Sequence, residues 1–136
     1  MTDAQPRPRR TRGAQESLAS IVLGCESLVV FLGGLVIFGL KALPASIAPW
    51  WGIVAGSVLA VLLIATAGVV GRRWGIVLGS LWQLVILLGA FLVPALALVG
   101  LIFGAMYAYA TIKGAALDRR NAQRAQEITQ PAMNGD

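Results

Sequence analysis

The stretch LASIVLGCESLVVFLGGLVIFGL, residues 18–40, decides the fold of this 136-residue chain. Its only charged residue is Glu26. Because a helix rises about 1.5 Å per residue, a stretch of this length can cross the hydrocarbon core of a bilayer, which is about 30 Å thick. It also exceeds the apolar core of a secretory signal peptide, about 7–15 residues, so we predict a retained membrane anchor.

The same apolar character continues along the chain. The residues from Ser17 to Ile112 contain only four charges, and three of them, Lys41, Arg72 and Arg73, fall in gaps between apolar runs. Segments 50–71, 74–92 and 96–112 are therefore predicted as further spans. We predict an all-α integral membrane bundle of four transmembrane helices with short loops, occupying residues 17–113.

Prolines and polar tails set the predicted boundaries. Pro94 lies almost midway along the apolar residues after Arg73, so the turn between spans three and four is predicted at residues 93–95. Residues 1–16 lack apolar periodicity and are predicted to form a disordered basic tail. Residues 114–136 are predicted to be helical to about residue 128 and disordered beyond Pro131, which should stop the helix.

Basic residues are distributed unequally between the two sides of such a bundle. Ten of the eleven Lys and Arg residues lie in the tails or in the turn between spans two and three, whereas Lys41 alone lies on the opposite side. The positive-inside rule then places both termini in the cytoplasm and the protein in the plasma (inner) membrane. Trp50 and Trp51 should lie at the outer interface and Trp74 at the inner one, where indole rings are enriched.

The net charge of +5 does not indicate a nucleic-acid partner, because the basic residues are confined to the tails and one turn. They set the topology, and the alternative is that they also bind anionic lipids of the surrounding bilayer. Small residues spaced four apart allow close helix packing in lipid. Such pairs mark contacts within the bundle or, alternatively, a homo-oligomer or a membrane protein partner; they are Gly52 and Gly56, Gly75 and Gly79, and Gly100 and Gly104.

Glu26 is the one charge inside an apolar run, and a carboxylate there costs a few kcal/mol unless it faces the bundle interior, is protonated or has partners. Gln83 in span three lies at about the same depth, roughly 12–14 Å, and Tyr107 in span four lies roughly 9 Å deep. Both side chains can donate to a carboxylate. Thr66 and Arg73 are further candidates nearer the surface. We call Glu26, Gln83, Tyr107 and Arg73 the intramembrane polar cluster. It is either a hydrogen-bonded network that holds the bundle together or an ion or substrate site.

The chain lacks the residues of the familiar catalytic sites. It has no His, a single Cys25 and no Asp in any predicted span. We therefore expect no enzyme, no metal site and no cofactor. Cys25 excludes an intrachain disulfide and is predicted to be a small buried residue.

Several segments together resemble the small actinobacterial membrane proteins grouped as domain of unknown function 4233. They are Arg12-Gly13, LGCESLVV at 23–30, GRRWG at 71–75, WQLVI at 82–86 and Gly100-x-x-Phe103. The resemblance covers residues 12–113 and implies a four-helix inner-membrane protein without an assigned activity. It also implies that Glu26, Arg73, Trp74 and Gln83 are the family's marked polar positions.

Two function classes remain open from the sequence. The first is a non-catalytic membrane scaffold or accessory subunit, which binds partner proteins or lipid through its helix faces and basic tails. The second is a small proton-coupled transporter that uses Glu26. Four-span multidrug exporters also carry one acid in span one, but they work as antiparallel pairs, and the ten-to-one basic asymmetry here disfavours a mixed orientation.

Overall fold

Four helices make up most of the part of the chain that the structure, a computed structural model, describes, namely residues 11–135. Helix α1 is Ala14–Gly39, α2 is Trp51–Val69, α3 is Arg73–Leu88 and α4 is Ala95–Asn134; a short 3-10 turn, Gly89–Phe91, follows α3. Four helical segments are long and apolar enough to cross a membrane. The predicted all-α bundle of four transmembrane helices is confirmed.

Consecutive helices run in opposite directions, and α1 lies at the centre of the packing. It contacts both α2 and α4, α3 packs mainly on α4, and the α2–α3 contact is the smallest of the four. The start of α1, the α2–α3 turn and residues 111–118 of α4 meet at one end of the bundle, through contacts of Gln15 with Thr111 and of Glu16 with Gly71. We call this the basic end, because the arginines of the α2–α3 turn lie there. The opposite end, with the α1–α2 loop and the α3–α4 turn, is called the loop end.

Glycines allow the backbones of α1 and α2 to touch. A Cβ placed on Gly34 would lie 2.6 Å from the carbonyl oxygen of Gly52, and one placed on Gly56 would lie 2.9 Å from the Cα of Gly34. Apolar burial gives little net drive in lipid, so this approach stabilises the pair through van der Waals contact. The structure thus uses Gly52 and Gly56 for a contact within the bundle.

The other predicted packing glycines serve different contacts. Gly75 lies against the backbone of Val69 in the α2–α3 turn, and Gly79 lies under the ring of Tyr107. A Cβ on Gly100 would lie 3.3 Å from the backbone of Leu87, whereas the nearest atom to one on Gly104 is Oε1 of Gln83, 3.8 Å away. Each of these four glycines contacts residues of the same chain. The backbones of α3 and α4 come closest at Gly100.

Two boundaries differ from the sequence prediction. Helix α1 begins at Ala14, inside the segment predicted as a disordered tail, whose residues 1–10 lie outside the described part of the chain. Helix α4 runs through Pro131 to Asn134, so the prediction that Pro131 stops the helix was wrong. A proline inside a helix removes one backbone hydrogen bond.

The tryptophans and the cysteine lie on the outside of the bundle. Trp50 and Trp51 are half exposed and their rings stack with centroids 4.6 Å apart, and Trp74 is half exposed at the start of α3. These positions are the two ends of the helices, as expected for interfacial indoles. The prediction that Cys25 is buried was wrong, because the neighbouring Glu26 occupies the inward direction and the next position on a helix is turned by about 100°.

Candidate functional site

Helix α1 places Glu26 in the middle of the bundle. The buried residues of α1 recur every three or four positions, as Ala19, Leu23, Glu26, Val30 and Gly34. This is the spacing of one helix face. Glu26 therefore takes a core position and its side chain is fully buried.

Helix α3 supplies the partner of Glu26. Its buried face consists of Gly75, Gly79, Gln83 and Ile86, which again are three or four residues apart. Nε2 of Gln83 donates a hydrogen bond to Oε2 of Glu26, across 57 positions of sequence. This bond joins the central helix to α3, with which it otherwise shares little surface.

The pair is only half satisfied. Oε1 of Glu26 and Oε1 of Gln83 are both buried, and the described residues offer neither oxygen a donor. Two acceptors without donors are unusual in a protein interior, where most buried polar atoms are hydrogen-bonded. The site therefore lacks a hydrogen-bond donor, which a proton on the carboxyl group or a small donor molecule would supply.

Tyr107 does not join this pair. Its hydroxyl donates to the carbonyl oxygen of Ile76 at 2.9 Å, and its ring packs over Gly79. We predicted that the phenol donates to Glu26, and that prediction was wrong. The hydroxyl end of the ring lies where a side chain on Gly79 would be, and it bonds a backbone carbonyl of α3 instead of Glu26.

Two further candidates also have other roles. Arg73 is exposed at the basic end, and within residues 11–135 it makes no ion pair with Glu26. Thr66 is buried but accepts a hydrogen bond from Nε1 of Trp82 at 2.8 Å and donates to the carbonyl oxygen of Leu62 at 2.7 Å. The sequence analysis did not identify Trp82 as a partner, although an indole N–H inside a bundle needs an acceptor.

A second polar contact, which the sequence analysis missed, ties α4 to the start of α1. The carboxylate of Asp118 accepts the backbone N–H groups of Ala14 at 2.7 Å and of Gln15 at 3.1 Å. The N-cap residue Gly13 makes no side-chain cap, so Asp118 replaces it from another helix. Nε2 of Gln15 also donates to the carbonyl oxygen of Thr111 at 3.1 Å. No local motif reveals a cap that comes from more than 100 positions away.

The chemistry available at these sites is acceptance and exchange of hydrogen bonds. Within the described residues, no group of three His, Cys, Asp or Glu side chains lies close enough to hold a metal ion. Glu26 and Gln83 provide carboxyl and amide groups in a core whose other buried polar residues are Ser27 and Thr66. Such a pair can lock two helices together, or it can take up and release a proton.

Comparison with known proteins identifies a family but no characterised relative. No curated protein and no solved structure matches the chain. The family model described as "Protein of unknown function (DUF4233)" matches residues 17–123, which include all four membrane-spanning segments, the Glu26–Gln83 pair and Asp118. The chain therefore belongs to this family, the membrane proteins of domain of unknown function 4233.

Proposed function

We propose that the protein is a non-catalytic scaffold or accessory subunit of the plasma (inner) membrane, with both termini in the cytoplasm. The observation that carries this proposal is the length of α4. The helix has 40 residues and so is about 60 Å long, twice the thickness of the hydrocarbon core. About half of it therefore extends from the basic end into water.

The extension has the surface of a partner-binding element. All residues from 119 to 131 are exposed, including the apolar Ile128, which is 76% exposed. An isolated helix of this length is marginal in water, because most helix stability in proteins comes from packing. Asp118 holds the base of the extension against α1, so the bundle presents it in a defined direction. A partner protein that packs against residues 119–131 would supply the packing contacts that stabilise this part of the helix.

The experiment is site-specific photocrosslinking in native membranes. A photoreactive amino acid at Arg124 or Ile128 should give one discrete protein adduct, whereas the same group at lipid-facing Leu28 should give none. Removal of residues 119–136 should leave the melting temperature of the bundle unchanged, because residues 119–131 are exposed. Absence of a discrete adduct at every exposed position of the extension would contradict the proposal.

A proton-coupled transporter that uses Glu26 is the second candidate. It is supported by the carboxyl oxygen Oε1, which is buried without a donor and so has a place for a proton. If Glu26 carries protons, the Glu26→Gln protein folds normally and loses proton flux in reconstituted vesicles. A stable but inactive Glu26→Gln protein would replace the scaffold proposal by this one.

A further inference from the structure

A cavity of about 380 Å³ lies between α1, α2 and α3 at the loop end. Every residue that lines it is apolar. Val30, Leu59 and Ile86 line its inner end, and Leu43, Ile47 and Leu92 line it at the loop end. The inner end is one helical turn from Glu26 and Gln83, so the cavity stops where the polar pair begins.

The cavity exists because α2 and α3 touch only near the basic end. There, Thr66 is hydrogen-bonded to Trp82, and Gly75 packs on the backbone of Val69. Towards the loop end the two helices are separated by the cavity, and Ala55 and Val85 on its walls are exposed. The cavity therefore opens sideways into the region that lipid occupies.

An opening of this kind does not stay empty. Protein interiors contain few voids larger than a water molecule, and an apolar wall offers water no hydrogen bonds. At membrane depth the available material is hydrocarbon, either a lipid chain or an apolar helix of another protein. Both are apolar, so the charge beside the cavity decides between them.

An acyl chain, which is a single file of methylene groups, is narrow enough to enter the space between α2 and α3.

A positive charge lies near the loop end of the cavity. Lys41 is exposed and lies two residues before Leu43, so their Cα atoms are at most about 7 Å apart. Among residues 11–135 it is the only non-glycine residue with positive φ, at 51°. The exposed Lys41 carries its positive charge in the turn that directly follows α1, beside a loop residue that lines the cavity.

We propose that the cavity binds one acyl chain of a membrane phospholipid whose phosphate lies at Lys41. The walls select a chain by shape, and Lys41 selects the anionic head by charge. The site belongs to the leaflet at the loop end, and it is independent of the α4 extension on which the proposed function depends.

The test uses the full-length protein in vesicles that contain phosphatidylglycerol with a photoreactive diazirine near the end of one acyl chain. After illumination, mass spectrometry should find the label mainly on residues 55–59 and 85–89. Even labelling over lipid-facing Val61, Ile64 and Val77 would overturn the proposal.

Four variants sharpen the test. Ala55→Trp fills the cavity and should reduce labelling severalfold, whereas the matched variant Ala65→Trp, on an exposed part of the same helix outside the cavity, should not. Lys41→Gln leaves the bundle unchanged and should reduce labelling about fivefold. Unchanged labelling in Lys41→Gln would overturn the assignment of the head group. If Ala55→Cys in a Cys25→Ala background forms a disulfide-linked dimer under oxidation, a second copy occupies the cavity and the proposal is wrong.

Discussion

Glu26 accepts one hydrogen bond inside an apolar bundle, and its second oxygen has no donor among the described residues. Removal of a charged group from water costs several kcal/mol, and one hydrogen bond from a neutral amide recovers only part of that cost. Gln83 is in a similar position, because its carbonyl oxygen is also buried without a donor. At the scale of single residues, the site is short of donors.

An added donor should therefore stabilise the pair. In Glu26→Gln the introduced amide can accept from Gln83 and also donate to Oε1 of Gln83, so we expect a melting temperature in detergent equal to or above that of the original protein. Glu26→Leu leaves Nε2 of Gln83 without an acceptor and should lower the free energy of unfolding by about 1–2 kcal/mol.

The double variant Glu26→Leu with Gln83→Leu is the control for this prediction. Removal of both polar groups leaves no orphaned donor, so the double variant should be more stable than Glu26→Leu alone. If the losses of unfolding free energy in Glu26→Leu and in Gln83→Leu simply add in the double variant, the two side chains do not interact and the assignment of the pair fails.

The sequence determines the depth of polar residues better than their direction. Residue counting from the ends of the spans puts Glu26 and Gln83 at one level, and the structure joins them by a hydrogen bond. The same counting failed for Tyr107, because it carries no information about how each helix is rotated about its axis. The rotation of α4 brings the Tyr107 hydroxyl to the carbonyl oxygen of Ile76, next to Gly79, where a side chain would clash with it.

Helix packing between α1 and α2 depends on the contact of Gly34 with Gly52 and Gly56. Gly33, its neighbour, has no atom within 4 Å of the place where its Cβ would be, so the two adjacent glycines form a matched pair. Gly34→Ala should separate the two backbones and lower the free energy of unfolding by about 1–3 kcal/mol. Gly33→Ala should raise it by about 0.5–1 kcal/mol, because alanine is the better helix former.

Thermal unfolding in detergent micelles measures both variants. Equal effects of Gly33→Ala and Gly34→Ala would show that helix propensity, rather than contact between the backbones, sets the stability of α1. A tolerated Gly34→Ala would also mean that α1 and α2 can move apart without loss.

At the scale of elements, hydropathy was sufficient to predict the number and order of the helices, since each apolar run is long enough to cross a bilayer. It was not sufficient for the ends of α1 and α4. The start of α1 is stabilised by Asp118 from α4, and α4 continues past Pro131. The Asp118 contact depends on two helices that the fold brings together, and the end of α4 depends on where Pro131 lies in the last turn. Neither feature has a local pattern in the sequence.

The whole molecule has one end rich in arginine and one end with a single lysine. Arg12, Arg72, Arg73 and Arg119 all belong to the elements that meet at the basic end, and Lys41 lies at the loop end. A bundle with such asymmetry inserts in one orientation, because basic residues near the ends of spans are retained in the cytoplasm. We propose on this basis that both tails are cytoplasmic, which would make the α4 extension available to cytoplasmic partners.

Cysteine labelling in intact cells tests this orientation. In a Cys25→Ala background, Thr11→Cys and Gln130→Cys at the basic end should be protected from a membrane-impermeant maleimide, whereas Ser46→Cys in the exposed α1–α2 loop should react. All three positions should react after the cells are lysed, which controls for accessibility. Labelling of Thr11→Cys or Gln130→Cys before lysis would place the basic end outside and exclude a cytoplasmic partner for α4. Labelling of Ser46→Cys together with either of them would indicate a mixed orientation, which the charge asymmetry opposes and an antiparallel transporter pair requires.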